Sequence, residues 1–197
     1  MKCRLFLSLA AFAYLAGCAP GGVGGAFSAA QQANIFSTFK QVSTAQFLRL
    51  TDRDEFARSL AQLQREGYGT EQMEQAIAAQ QTGKSLYGHI FKDITGGENG
   101  GSVDSKSRYG LSAVPEKSGS GTSFLMLIDA TKMKFDEERG ASAGGVEYYK
   151  TDSPQSPIDT WPGSATLAKW ERIRMRSPQE GLNEARSLKK KYDEGVQ

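Results

Sequence analysis

Phe124-Leu125-Met126-Leu127-Ile128 is an unbroken apolar run of strand length. No polar residue alternates with the apolar ones, so it reads as a central strand covered on both faces, although periodicity alone also admits a short buried helix. Its neighbours extend the strand reading: 108–114, 123–129, 132–135 and 146–150 are strand candidates. They are separated by polar, glycine-rich stretches at 95–107 and 115–121 and by a turn or loop at 140–145. Tyr148-Tyr149 supplies an outer strand. Together these segments predict a small, mainly antiparallel sheet over about 108–150.

Upstream, the pattern is helical. Ile35, Phe39 and Val42, with Phe36, Phe47 and Leu50, recur at spacings of three and four along one stripe of a helix over about 27–50. Asp52 followed by Glu55 resembles a capping box, which predicts a second helix over 52–66 carrying Phe56, Leu60 and Leu63 to a stop at Gly67. Thr70 caps a third over 70–82, with Met73, Ala76 and Ile77 inward and Gly83 at its end. Leu86, Tyr87, Ile90, Phe91 and Ile94 form the apolar face of a fourth over 84–94. Short turns between these helices predict a lobe whose faces bury one another.

Downstream, Pro154, Pro157 and Pro162 rule out regular structure over 151–163, where Trp161 is expected to pin the loop to the core. Residues 165–176 read two ways. Leu167, Trp170 and Ile173 fit a helix, whereas Ile173 and Met175 between arginines fit a strand, and the strand over 171–176 is the preferred reading. Ser177-Pro178-Gln179-Glu180 starts a last helix over 178–193, with Leu182, Ala185, Leu188 and Tyr192 at helical spacing. No repeat of solenoid period is present. The expected class is α+β, with residues 31–197 as one domain containing a helical lobe over 31–94.

The first residues have a separate logic. Lys2 and Arg4 precede an apolar segment from Leu5 to Leu15, within the about 7–15 residues a signal peptide needs and short of the about 20 that span a bilayer. Leu15-Ala16-Gly17-Cys18 follows: a leucine, two small residues and a cysteine. Residues 1–18 thus resemble the precursors of bacterial lipoproteins, and the rest of the chain carries no such likeness. The resemblance implies that diacylglycerol is attached to the Cys18 thiol, that cleavage falls between Gly17 and Cys18, and that the new amine is acylated. An ordinary secretory signal or an uncleaved helix are the alternatives. Residues 18–30 would then be a lipidated cysteine and a tether. The glycine-rich 19–25 stretch spans roughly 15–20 Å as a flexible coil. Ala19 stands where an aspartate would retain such a protein at the inner membrane, which favours the outer membrane, facing the periplasm, in a Gram-negative host.

Removing residues 1–17 changes the composition. Of 24 Lys and Arg against 22 Asp and Glu, Lys2 and Arg4 leave, so the mature chain balances at 22 of each. A nucleic-acid partner is not expected. Cys3 leaves as well and Cys18 is the anchor, so no thiol remains for a disulfide or a cysteine ligand set. The mature length of 180 residues suits one core.

Chemical signatures are weak throughout. Gly83-Lys84-Ser85 imitates the end of a phosphate-binding loop, but Ala78 stands where the first glycine belongs and the preceding segment is helical. His89 is the lone histidine, with Asp93 one helical turn away. No Gly-x-Ser-x-Gly elbow accompanies them, so a packing or surface role is expected rather than a catalytic one. A zinc site would need mostly carboxylates. Asp136, Glu137 and Glu138 form a charged turn, and Asp52, Asp54 and Glu55 are explained by the dipole of a helix start. No catalytic, cofactor or metal residue is therefore assigned. The C-terminal quarter is basic: Lys169, Arg172, Arg174, Arg176, Arg186, Lys189, Lys190 and Lys191 face only Glu171, Glu180 and Glu184. Arg172, Arg174 and Arg176 would share one face of a strand, and with Lys189, Lys190 and Lys191 they are the candidate surface for an anionic partner. Sheet-edge protection and charge complementing a helix end explain the same residues.

The expected partners are the membrane, through lipid on Cys18, and an envelope protein. The expected role is assembly or interaction without catalysis. A lipid-anchored hydrolase using Asp and Glu as acid and base, or a periplasmic ligand binder, are the alternatives.

Overall fold

The computed structural model describes residues 23–117, 121–136, 141–143, 145–153 and 156–174. Their helices are α1 (Val23–Arg53), α2 (Leu60–Arg65), α3 (Glu71–Thr82) and α4 (Ser164–Leu167). Their strands are β1 (His89–Ile94), β2 (Arg108–Pro115), β3 (Ser123–Asp129), β4 (Lys134–Asp136), β5 (Ala141–Ala143), β6 (Val146–Thr151) and β7 (Glu171–Ile173). The fold is α+β. Five strands form one antiparallel sheet in the order β1-β2-β3-β6-β7, and β4 and β5 pair separately.

Every residue of β3 is buried, because both faces of the sheet are covered. The two-residue period of a strand divides the apolar run. Phe124, Met126 and Ile128 join the helices, while Leu125 and Leu127 join Tyr149, Trp161 and Trp170 on the opposite face. The helical side is an aromatic layer. Phe36 of α1 meets Phe124 edge-on at 5.2 Å between centroids, and Phe39 lies 6.2 Å from Phe91 and 6.4 Å from Tyr148. Each fully buried side chain of this size contributes roughly 1.5–3 kcal/mol from apolar burial. The opposite face is closed by the proline-containing segment rather than by a helix layer. Trp161 and Trp170 are both buried there, and Ser112 donates to the Ile158 carbonyl at 3.0 Å.

Several expected elements stand: Ile35, Phe39 and Val42 are fully buried along α1, and Met73, Ala76 and Ile77 point inward from α3. Thr70 caps α3, accepting from the Met73 amide at 3.3 Å, and Gly83 ends it in the left-handed conformation at φ 65°. Residues 165–176 hold both alternatives in succession, α4 and then the short β7.

Three boundaries are corrected. Residues 84–94 are not a helix. Leu86 and His89 exchange backbone hydrogen bonds of 2.8 and 3.0 Å across Tyr87 and Gly88, whose φ values are 54° and 73°. Two consecutive positive φ angles make a primed hairpin turn, which delivers the chain into β1. There Phe91 and Ile94 fall on opposite faces, in different clusters, whereas a helix would have put them on one stripe.

The second correction lies at Asp52. Helix α1 continues to Arg53 and ends with Asp54 at φ 59°, so Asp52, Asp54 and Glu55 sit at a helix C-terminus, where the dipole opposes them. Asp52 and Glu55 are held by partners instead: Asp52 accepts from the Tyr68 hydroxyl at 2.7 Å, and Glu55 pairs with Arg49 at 3.3 Å. Helix α2 is capped by Ser59, which accepts from the Gln62 amide at 3.2 Å. Third, Val23-Gly24-Gly25 belong to α1 rather than to a coil tether. The expected helix over 178–193 and the whole of residues 1–18 lie outside the described residues. Among the described residues, no helix is long and apolar enough to cross a membrane.

Candidate functional site

The site with the most concentrated chemistry lies where the segment leading into α2 meets the β1–β2 connection. The Phe56 amide donates to the Ser105 carbonyl at 2.7 Å, and Val103 donates to Thr95 at 2.8 Å, which folds the connection back against the end of β1. A cavity of about 220 Å³ remains between them. Arg58 and Arg108 line it together with the hydroxyl residues Thr95, Ser102 and Ser105. Its apolar wall is Ile94, Val103 and Tyr109. The Arg108 guanidinium stacks 5.1 Å from the centre of the Trp161 ring, and its Nε lies 3.5 Å from Asp129 Oδ2.

Behind the Tyr109 wall is a buried carboxyl, that of Asp93, displaced upward from its ordinary range. Asp93 Oδ1 accepts from the Tyr109 hydroxyl at 2.9 Å and from the Leu60 amide, at the start of α2, at 3.2 Å. Burial pushes its carboxyl up to about 6, against the pull of those two donors and of Gln80. Burial, followed by the Asp93 charge, raises the Tyr109 phenol well above its usual range. Asp93 lines none of the three described cavities, so its protonation is coupled to the α2–sheet junction rather than to an open site.

His89 lines a second cavity of about 230 Å³ beside Gln31, Glu116 and Lys117. Its Nδ1 lies 3.0 Å from the Tyr87 carbonyl and its Nε2 2.9 Å from the Thr122 carbonyl. Both ring nitrogens thus face backbone carbonyls, which only accept, so a neutral ring donates to one of them while it sits between the hairpin turn and the loop before β3. Asp93 is not one helical turn from it but four residues along the same strand, about 13 Å at the usual rise. A third hollow of about 240 Å³ lies along α1 between Lys40, Ala45, Leu48 and Tyr68. Leu48, 56% exposed, is the large apolar side chain left open there.

The basic surface proposed from sequence is present only in part. Arg172 is in β7 and exposed, but its guanidinium pairs with Glu147 at 3.1 Å, and Lys132 meets the same carboxylate at 3.0 Å. Burial alone would raise Glu147, yet those two cations hold it below the usual range. Arg174 follows the end of β7 and is exposed. Arg176, Lys189, Lys190 and Lys191, like Gly17 and Cys18, lie outside the described residues. The stripe therefore begins as a charge network across β6 and β7 rather than as a set of open cations.

Sequence reading missed Arg58, Arg108 and the Asp93–Tyr109 pair. The two arginines are 50 positions apart, and no motif spacing joins them. Asp93 and Tyr109 meet because the β1–β2 register sets Asp93 opposite Leu111, two residues from Tyr109 on the same face, and sequence spacing gives no sign of that register. No group of three or more His, Cys, Asp or Glu side chains that could hold a metal ion occurs among the described residues. No protein-family model, curated protein or solved structure matches this chain.

Proposed function

We propose that the chain is a lipid-anchored envelope protein that acts by binding, as an assembly or interaction component held at the membrane through Cys18. In a Gram-negative host its place is the outer membrane, facing the periplasm. The observation that carries the reading is that the perturbed carboxylates are engaged in holding the fold. Arg49 takes Glu66, Ser107 takes Asp104, Lys132 and Arg172 take Glu147, Lys92 takes Asp159, and Tyr109 takes Asp93. A hydrolytic pair needs two carboxyls facing one cleft about 5–10 Å apart, and these five are each tied to a different local contact. The segment ending at Cys18 supplies the anchor.

The test has two arms. Cys18→Ser is expected to abolish labelling by a fatty-acid analogue and to release the body from membranes; undiminished labelling refutes the anchor. Detergent-solubilised membranes are expected to yield a stable complex with an envelope protein, and recovery of monomer alone at every salt concentration refutes the assembly role.

A further inference from the structure

We propose that the cavity between Arg58 and Arg108 is a binding site for a small organic anion, a carboxylate or phosphate carried on a short apolar group. The charge of its lining residues is one-sided: two arginines and no Asp or Glu. Arg108 is pre-organised. Its plane is set by the Trp161 ring at 5.1 Å and one edge by Asp129 at 3.5 Å. Its terminal nitrogens have no hydrogen bond to other described residues, and they form the planar fork that suits a carboxylate or phosphate. Arg58 is exposed, and among the described residues its guanidinium has no ion pair. Asp129 offsets the Arg108 charge only in part and Arg58 has no ion pair among the described residues, so the hollow favours an anion.

The rest of the lining sets the size and the apolar part. Ile94 and the ring of Tyr109 are buried, and the Tyr109 hydroxyl is committed to Asp93, so this wall offers only apolar surface. Thr95 and Ser102 bring hydroxyls to the rim. An apolar cavity of about 150 Å³ holds a benzene ring. At about 220 Å³ the site takes one ring-sized group and one anionic head, not a long acyl chain. The inference is independent of lipid anchoring, and Cys18→Ser is expected to leave it intact.

Isothermal titration of the full-length, detergent-solubilised protein tests it with three probes: phenyl phosphate, inorganic phosphate and benzyl alcohol. Phenyl phosphate is expected to bind once per chain with a Kd below about 1 mM, more tightly than inorganic phosphate, and to weaken as salt rises. Benzyl alcohol is expected to give no saturable signal. Arg58→Gln, at an exposed position, is expected to weaken phenyl phosphate about tenfold or more. Arg108→Gln should do the same, but because it also removes the contact with Asp129, Arg58→Gln carries the decision. The proposal is overturned by absence of saturable binding, by unchanged affinity in Arg58→Gln, or by inorganic phosphate binding as tightly as phenyl phosphate.

Discussion

Replacing Asp93 with asparagine should make this protein more stable at neutral pH, although it deletes a charge that accepts two hydrogen bonds. The native carboxyl titrates at about 6, raised from 3.8 by burial. A folded-state value above the unfolded one means that the fold prefers the protonated acid. Its stabilising effect is complete below about 3.8 and is lost as pH rises through 6. A displacement of about two units is worth about 3 kcal/mol, of which about 2 kcal/mol falls between pH 4.5 and 7.5. Asparagine keeps a carbonyl oxygen for the Tyr109 hydroxyl and the Leu60 amide and has no charge to bury. Urea unfolding at several pH values across this interval, on both proteins, gives the difference directly, and groups common to the two cancel. Glu66 works in the opposite sense at lower pH: Arg49 and then Gln62 hold it at about 2, so its contribution is present above about 4.5 and is lost as pH falls from there through about 2. The expected result is a variant-minus-native stability that grows by about 2 kcal/mol from pH 4.5 to 7.5. An unchanged difference across that range, or a variant less stable at pH 7.5, would refute the claim that burial controls this carboxyl.

Two backbone positions give further tests. Asp54 ends α1 at φ 59°, a conformation that costs a residue with a Cβ more than it costs glycine. Asp54→Gly should therefore raise stability by up to about 1 kcal/mol, and a lower midpoint in urea would show that the Asp54 side chain contributes more than the strain costs. Gly145 combines φ 77° with a backbone oxygen, that of Asp129, 2.9 Å from where a Cβ would stand. Since the Asp129 amide also donates to the Gly145 carbonyl at 2.7 Å, the two chains cannot separate freely. Gly145→Ala should cost about 2 kcal/mol or more in the same assay, and a loss under about 0.5 kcal/mol would contradict the close approach.

The central strand was legible because its evidence is local. An apolar run at 124–128 needs no knowledge of what covers it, only that something must. The segment at 84–94 was not legible, because Leu86, Tyr87, Ile90, Phe91 and Ile94 satisfy a helical stripe and a two-faced strand equally well. The deciding feature is the turn at Tyr87-Gly88, and tyrosine at a positive φ lacks the Asn-Gly signature that announces such turns. At 52–59 two capping signals compete, and tertiary contacts choose between them. Buried Arg49 draws in both Glu55 and Glu66, which carries α1 one turn further and leaves Ser59 to start α2.

The same turn explains why the candidate site was invisible. Once 89–94 is a strand, its pairing with β2 brings Ile94 opposite Gly110 and sets Tyr109 at the end of the pair, with Arg108 beside it. The cavity is therefore a product of strand register, and register is a long-range property that residue spacing does not encode. Arg58 reaches the site through a different route, the hydrogen bond between Phe56 and Ser105. Asp93 ties the two routes together, since one carboxyl oxygen receives both the α2 amide and the β2 tyrosine. The Asp93 carboxyl and the start of the segment that carries Arg58 are thus parts of one junction, which is why neither residue's role is visible from its own stretch of sequence.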